Sequence, residues 1–428
     1  MKRDDFAPNL PARNAAGKRW SVIFLVATAL SILFLVSLVA SIVNQSFGYV
    51  LTVPEVDPAE LERDGVALAD QNSGALRATL EENISRRLYL KFDEDKPMAS
   101  RSRGELYGLV VAEVVIPTVK KTWDLTQSLL HAGSIRKEVE NSTPDGELTF
   151  RSWINAGLFS KPQSSIALDA GIRGAIIGSL GTILLTILIA FPVGVAAAIY
   201  LEEYAKDSLV NRAIETNIYN LAGVPSIIYG MLGLAIFVRL LEPLTSGAIF
   251  GAGAVGAGSA AAGAAAGAAM AAGANGRTIL SASLTLAVLI LPIVIINSQE
   301  ALRAVPDSLR QSSLAVGATK WQTIWHHVLP ASVDRIMTGT VLAVSRALGE
   351  TAPLVVVGAS TFLTQNPTSP FSKFTTLPIQ IYQWTARPQT EFRNLAAAAI
   401  LVLLILGLTL NASAIIVRNK YRKDKRLG

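Results

Sequence analysis

Six long apolar stretches dominate the sequence, and they restrict its fold more than any other feature. Five contain no charged residue, and the sixth contains only Arg346 and Glu350. Because a helix needs about 20 apolar residues to cross the hydrocarbon core of a bilayer, each stretch can span a membrane. The sequence therefore predicts an all-α polytopic membrane protein with six transmembrane helices. These are Trp20–Val43, Gly174–Tyr200, Tyr219–Val238, Thr278–Ile296, Ile336–Phe362 and Leu395–Val417.

Composition supports a membrane protein and argues against several kinds of chemistry. Hydrophobic residues make up 51% of the chain and charged residues 16%, whereas soluble domains are about 25% charged. With no cysteine and three scattered histidines, neither a thiolate nucleophile nor a metal centre is expected. We predict no catalytic residues, no metal site and no cofactor on this chain.

Lysine and arginine next to the apolar stretches predict the orientation. The N-terminal part of residues 1–43 and the tail 418–428 are both basic. Since positive charge concentrates on the cytoplasmic side, both termini are expected in the cytoplasm, together with the loop 298–335. A secretory signal has an apolar region of only about 7–15 residues, so the first stretch is interpreted as an uncleaved anchor, with a long signal peptide as the alternative.

The polar segment 44–169 is long enough to form a small domain, which we expect to be extracytoplasmic and of α/β or α+β class. The spacing of Leu76, Leu80, Ile84 and Leu88 predicts one amphipathic helix. The valine-rich run Leu109–Val119 predicts a buried strand. A structural or docking role is favoured, because the segment contains no catalytic triad and no metal-ligand spacing.

Residues 170–417 are predicted to form a core of five transmembrane helices. Its outer loop 245–276 is almost entirely alanine and glycine, which is typical of a flexible low-complexity insertion.

The loop 298–335 contains a more specific pattern. Pro306 and Asp307 can begin a helix, Gly317 ends it, and Thr319 with Gln322 has the spacing of a capping box.

A second short helix is predicted after Thr319. Its residues Trp321, Ile324, Trp325 and Val328 recur at i, i+3, i+4 and i+7, which predicts one apolar face, and Pro330 is expected to end the helix. Two exposed tryptophans would suit insertion into a groove of another protein. The alternative is that this face packs on the bilayer or on the chain's own helix bundle.

Arg346 and Glu350 are unusual because a charge at the bilayer centre costs about 2.5–3.5 kcal/mol on insertion scales. Their i, i+4 spacing places them on one helix face, but such a pair contributes only about 0.2–0.5 kcal/mol. An arginine fork matches the oxygens of phosphate. The pair is therefore interpreted as an anion contact in which Glu350 holds the arginine between passages. A purely structural pair is the alternative.

The loop motif resembles the permease subunits of type I ABC importers, whose pattern is Glu-Ala-Ala, three residues, Gly, nine residues, then Ile-x-Leu-Pro. Gly317, Leu329 and Pro330 match, whereas Gln311–Ser313 replace Glu-Ala-Ala and His327 replaces isoleucine. The resemblance implies a coupling helix that docks on a separate ATPase, and the chain contains no GxxxxGK[ST] loop of its own. The implied coupling residues are Gly317, Thr319, Trp321, Ile324, Trp325, Leu329 and Pro330.

Two further motifs, Asn220–Gly230 and Ser345–Pro353, resemble the phosphate-specific (PstA-like) permeases, here with an added domain. The resemblance implies a non-enzymatic subunit of the bacterial inner membrane that imports inorganic phosphate by alternating access, with Arg346 and Glu350 on the translocation path. Its implied partners are a second permease subunit (PstC-like), two ATP-binding subunits (PstB-like) that use ATP and Mg²⁺, and an extracytoplasmic phosphate-binding protein. The alternatives are a permease for another oxyanion or small solute, and a membrane-anchored sensor acting through residues 44–169.

Overall fold

A computed structural model describes residues 10–63, 65–143, 146–250, 275–359, 362–363 and 365–424. Most of the predicted Gly/Ala-rich loop and the last four residues of the basic tail lie outside these ranges. The first elements are α1 (Leu10–Gln45), β1 (Phe47–Pro54), α2 (Ser73–Asn83), α3 (Arg86–Asp95), α4 (Arg103–Val110), β2 (Pro117–Thr122), α5 (Leu125–Leu130), α6 (Ala132–Ser142), β3 (Glu147–Ser152) and α7 (Ala156–Ser160). The later helices are α8 (Arg173–Ile199), α9 (Leu209–Ala222), α10 (Ser226–Gly233), α11 (Glu242–Thr245), α12 (Ile279–Arg303), α13 (Asp307–Ala315), α14 (Lys320–Thr323), α15 (Leu329–Gly349), α16 (Ala352–Val357), α17 (Leu377–Ala386) and α18 (Thr390–Asp424). The π-helical segments are Val111–Val115, Tyr200–Tyr204, Leu234–Leu240 and Ile324–Val328.

Four helices of the described chain are long and apolar enough to cross a membrane: Arg13–Gln45, Arg173–Tyr204, Ile279–Arg303 and Thr390–Ser413. A fifth crossing is obtained if the bent pair Leu209–Ala222 and Ser226–Leu240 forms one span. By length and composition, the described helices therefore account for four or five of the six predicted spans. The sixth candidate, α15, has 21 residues but includes the charged side chains of Asp334, Arg335 and Arg346.

Two of the predicted spans are interrupted. The helix predicted at Tyr219–Val238 is broken before Pro225, and its two parts, α9 and α10, meet at 104°. Proline has no N–H with which to continue a helix, and the hydroxyl of Tyr229 donates across the break to the carbonyl of Leu221 at 2.7 Å. The span predicted at Ile336–Phe362 is also two helices, because α15 ends at Gly349 and α16 begins at Ala352.

Helix α12 is the central helix of the bundle, and two-thirds of its most apolar window is buried. It packs against α8, where Ser283 Oγ donates to the carbonyl of Thr182 at 3.1 Å. Small residues allow the close approach: a Cβ atom on Gly194 of α8 would lie 2.7 Å from Val294 of α12. Gly194 therefore allows close packing of α8 on α12.

Residues 44–169, called the inserted segment below, contain an antiparallel sheet of order β2-β1-β3. In this register Tyr49 pairs with Phe150 and Val50 with Thr149, so Val50 faces the core and is buried. A separate helical cluster buries Leu76, Leu80 and Leu106. Helices separate from an antiparallel sheet make the segment α+β, one of the two predicted classes.

Local patterns within the inserted segment were misleading in two places. The single helix predicted through Leu88 is two helices, because Ile84 is extended and the hydroxyl of Ser85 caps a new helix. The strand predicted at Leu109–Val119 is mostly helical, because a capping box at Ser102 and Glu105 starts α4 and the helical backbone continues to Val115. Hydrogen bonds from Lys96 and the Ser102 N–H lower the pKa of Glu105 to about 2.

Candidate functional site

Arg346 and Glu350 lie where the helical backbone stops between α15 and α16. Arg346 belongs to the last turn of α15, and Glu350 is the extended residue that follows it, with φ −73° and ψ 117°. The Nε group of Arg346 donates to Oε1 of Glu350 at 3.4 Å. The two predicted site residues are therefore in contact, although this hydrogen bond is long.

The two side chains differ in exposure. The Arg346 side chain is 47% exposed on the surface of this chain, whereas the Glu350 side chain is 16% exposed. The arginine is therefore much more open at the surface of this chain than the glutamate. The Nη1 and Nη2 groups of Arg346 donate to no atom of the described residues. An arginine has five N–H donors, so most of this guanidinium is available to an external acceptor.

Close packing on neighbouring helices fixes the position of this break. Ala343 and Ala347 of α15 are buried with Tyr229 of α10 and with residues of α12. A Cβ atom on Gly230 would lie only 2.6 Å from Cα of Pro353, so α10 and α16 approach backbone to backbone. The first turns of the two helices that follow breaks therefore pack together, beside the arginine.

The loop 298–335 forms the predicted helix–turn–helix. Helix α13 begins at Asp307 after Pro306, and Gly317 adopts a left-handed φ of +88°. Thr319 then caps α14 with the predicted box: its Oγ1 accepts from the N–H of Gln322 at 3.3 Å, and Oε1 of Gln322 accepts from the N–H of Thr319 at 2.8 Å.

The apolar residues after Thr319 do not share one face, contrary to the sequence interpretation. Ile324 and Val328 are buried, while Trp321 and Trp325 are each 56% exposed. The residues from Ile324 to Val328 form a π-helical segment, in which the N–H of Leu329 donates to the carbonyl of Ile324 five residues earlier, so regular α-helical spacing does not hold there. The two indoles stack at 5.6 Å and form what we call the tryptophan pair.

Pro330 does not end this helix, although the sequence predicts that it should. The backbone remains helical from Lys320 through the π segment to Gly349, and Pro330 occupies the first turn of α15. The proline directly follows the π-helical hydrogen bond from the N–H of Leu329 to the carbonyl of Ile324, where the regular α-helical hydrogen-bond pattern is already interrupted. Leu329 and Pro330 are half-buried at the start of α15.

Two ion pairs that the sequence does not predict join this region to the π-helical segment Tyr200–Tyr204. Arg310 donates from Nη2 to Oε1 of Glu203 at 2.8 Å and from Nη1 to the carbonyl of Val305 at 2.7 Å. Arg303 pairs with Glu202 at 2.8 Å. Both acids line a cavity of about 570 Å³ beneath the loop. The sequence does contain a signal for these pairs: two adjacent acids follow an apolar stretch, on the side of the membrane where a basic loop is predicted.

Comparisons with known proteins point to one family. Residues 190–423 match the family described as binding-protein-dependent transport system inner membrane component. The phosphate transport system permease protein PstA of Yersinia pestis is 34% identical over 58% of this chain and 72% of its own length. The probable ABC transporter permease protein YqgI of Bacillus subtilis is 30% identical over 58% and 79%, respectively. A crystal structure of a bacterial ABC transporter that imports alginate aligns at 16% identity, with 78% of this chain, 99% of that chain and a TM-score of 0.40.

The two ion pairs beneath the loop should differ in their contribution to stability. Replacing Glu203 with Ala removes the largely buried partner of Arg310 and leaves it only the exposed carboxylate of Asp307 at 3.2 Å. The loss should cost about 3 kcal/mol, at the lower end for a broken buried ion pair. Replacing Glu202 with Ala is the matched control, because its partner Arg303 is 59% exposed, and should cost about 0–1 kcal/mol. Thermal unfolding of the purified variants measures both. Equal losses would contradict this assignment.

Proposed function

This chain belongs to the family of binding-protein-dependent transport system inner membrane components, and we propose that, as a permease subunit of an ABC importer, it conducts inorganic phosphate. The predicted resemblance to type I ABC importer permeases is thus confirmed at the level of family and fold. Such a permease is a multi-pass inner-membrane protein that works with an ATPase and a periplasmic binding protein. ATP hydrolysis resides on the separate ATPase chains.

The case for phosphate rests on Arg346. Its guanidinium is charged at any working pH, lies at a helix break and has its Nη groups free of partners among the described residues. A planar fork of N–H donors matches two oxygens of a phosphate. The name of the Yersinia pestis relative, a phosphate transport system permease, supports the same cargo.

Glu350 gives the arginine a weak partner when no anion is present. The contact of 3.4 Å between them is longer than the roughly 2.7–2.9 Å typical of a charge-assisted hydrogen bond. A phosphate can therefore displace the carboxylate at little cost. Repulsion between Glu350 and the anion then favours release, so that phosphate passes without being trapped.

The tryptophan pair is the proposed docking surface for the ATPase. Trp321 and Trp325 are exposed and stacked, and Val316 beside Gly317 is 85% exposed. Large aromatic side chains frequently dominate the energy of protein interfaces. In this arrangement Ile324 is buried and does not touch the ATPase, while Val328 packs on the chain's own bundle. The loop and both termini face the cytoplasm, as the distribution of basic residues predicts.

Replacing Arg346 with Gln should lower phosphate uptake by at least tenfold, because each hydrogen bond to a charged group contributes about 1.5–3 kcal/mol. Assembly and basal ATP hydrolysis should be retained. Arg346→Lys, which keeps the charge but loses the fork, should be intermediate. The matched control is Arg136→Gln on α6, an exposed arginine outside the spans. The measurement is uptake of radiolabelled phosphate into proteoliposomes that contain each variant. Normal uptake by Arg346→Gln would refute the proposal.

Replacing both Trp321 and Trp325 with Ala should weaken binding of the ATPase by about 30-fold or more, since hot-spot residues contribute 2 kcal/mol or more. The two substitutions remove exposed apolar surface and leave the buried residues Ile324 and Val328 unchanged. Tyr382→Ala on α17 removes another exposed aromatic residue, 62% exposed, and should leave binding unchanged. Affinity is measured by titrating the ATPase onto the permease in detergent. Equal binding by the double tryptophan variant and by Tyr382→Ala would contradict the assignment.

A further inference from the structure

Leu129 and Leu130, at the end of α5, are adjacent in sequence and both exposed. They are 69% and 77% exposed. They belong to an uncharged run, Leu125–Ile135, within the otherwise charge-rich inserted segment. A pair of adjacent exposed leucines is a candidate contact surface, and its position in the fold indicates which contact.

Helix α5 is tied to the end of the first membrane helix. The N–H of Thr126 donates to Oδ1 of Asn44 at 2.8 Å, and Asn44 directly follows the apolar stretch that ends at Val43. Ser128 holds the other side of α5, because its Oγ accepts from the N–H of Tyr49 at 2.8 Å. At 1.5 Å per residue, Leu130 lies about 6 Å along α5 from this tether.

The hydrogen bond between Thr126 and Asn44 lies at the level of the membrane surface. The carbonyl of Gln45, the last residue of α1, accepts from Nδ2 of Asn394 at 2.9 Å. Asn394 precedes the apolar stretch of α18, which begins at Leu395. Two spans therefore meet the edge of the hydrocarbon layer at the same level, and α5 is attached at that level.

We propose that Leu129 and Leu130 insert into the lipid leaflet on the side of the inserted segment and anchor this segment to the membrane surface. Apolar side chains of interfacial helices enter the boundary between headgroups and acyl chains by about 5–10 Å, which is within reach of α5. This anchor does not depend on the transported solute.

Lipid is the favoured partner of the two leucines, because α5 is attached to α1, whose own apolar surface is exposed. None of the most apolar window of α1 is buried in the described chain. The leucines are therefore tethered close to a helix whose apolar surface already needs acyl chains around it. A second permease subunit or a soluble binding protein covering the same leucines would be a different outcome of the experiment.

Because the chain contains no cysteine, a single fluorescent label can test this contact. Leu130→Cys carries the label at a site outside the core, so folding is not at risk. Leu90→Cys on α3 is the matched control: Leu90 is 51% exposed, and no hydrogen bond found among the described residues joins α3 to α1. The full chain, with the subunits that accompany it, is reconstituted into phosphatidylethanolamine and phosphatidylglycerol vesicles containing doxyl-labelled lipid.

We expect lipid-borne doxyl groups to quench the label at position 130 severalfold more strongly than the label at position 90. A water-soluble quencher should show the reverse order. Lipid quenching at position 130 no stronger than at position 90 overturns the proposal. Shielding of position 130 from both quenchers also overturns it, because the leucines would then be covered by protein.

Discussion

The end of helix α15 at Gly349 is the constraint on which the rest of the account depends. It leaves Arg346 in a last helical turn, where the helix dipole stabilises a cation by about 0.3–1 kcal/mol. The pairing with Glu350 adds about 0.2–0.5 kcal/mol. Together these terms fall short of the roughly 2.5–3.5 kcal/mol that a charge costs in a bilayer. In the proposed function, the partial exposure of the arginine at the chain surface and its contact with a passing anion offset the rest of this cost. A sealed structural pair would have neither contribution.

A continuous helical backbone connects this arginine to the tryptophan pair. From Lys320 to Gly349 every residue is helical, so Trp321 and Arg346 are joined by about 38 Å of helix at 1.5 Å per residue. Val328 packs near the beginning of this path in the bundle, and the ion pair of Arg310 with Glu203 holds the loop against the π-helical segment that follows α8. In the proposed function, a displacement of the loop by the ATPase therefore reaches the anion contact through one element.

The sequence predicts the membrane class, the capping box at Thr319 and the contact between Arg346 and Glu350, because apolar length, caps and i, i+4 spacing are local properties. It does not predict the break after Gly349, since hydropathy averages over a single extended residue. It also misses the different burial of Ile324 and Trp325, because the tertiary fold decides which side of a short helix packs on the chain. The pairing of Glu203 with Arg310 joins residues 107 positions apart, and only the fold brings them together.

The most direct test of the central claim is the distance between transported phosphate and the Arg346 guanidinium. Solid-state nuclear magnetic resonance of the reconstituted importer, with ¹⁵N-labelled arginine and phosphate, measures the ³¹P–¹⁵N coupling, and Arg346→Lys assigns the signal. The account predicts a coupling that corresponds to hydrogen-bonding contact, with N–O distances of about 2.7–2.9 Å. Phosphate bound to the importer without any coupling to Arg346 would contradict it.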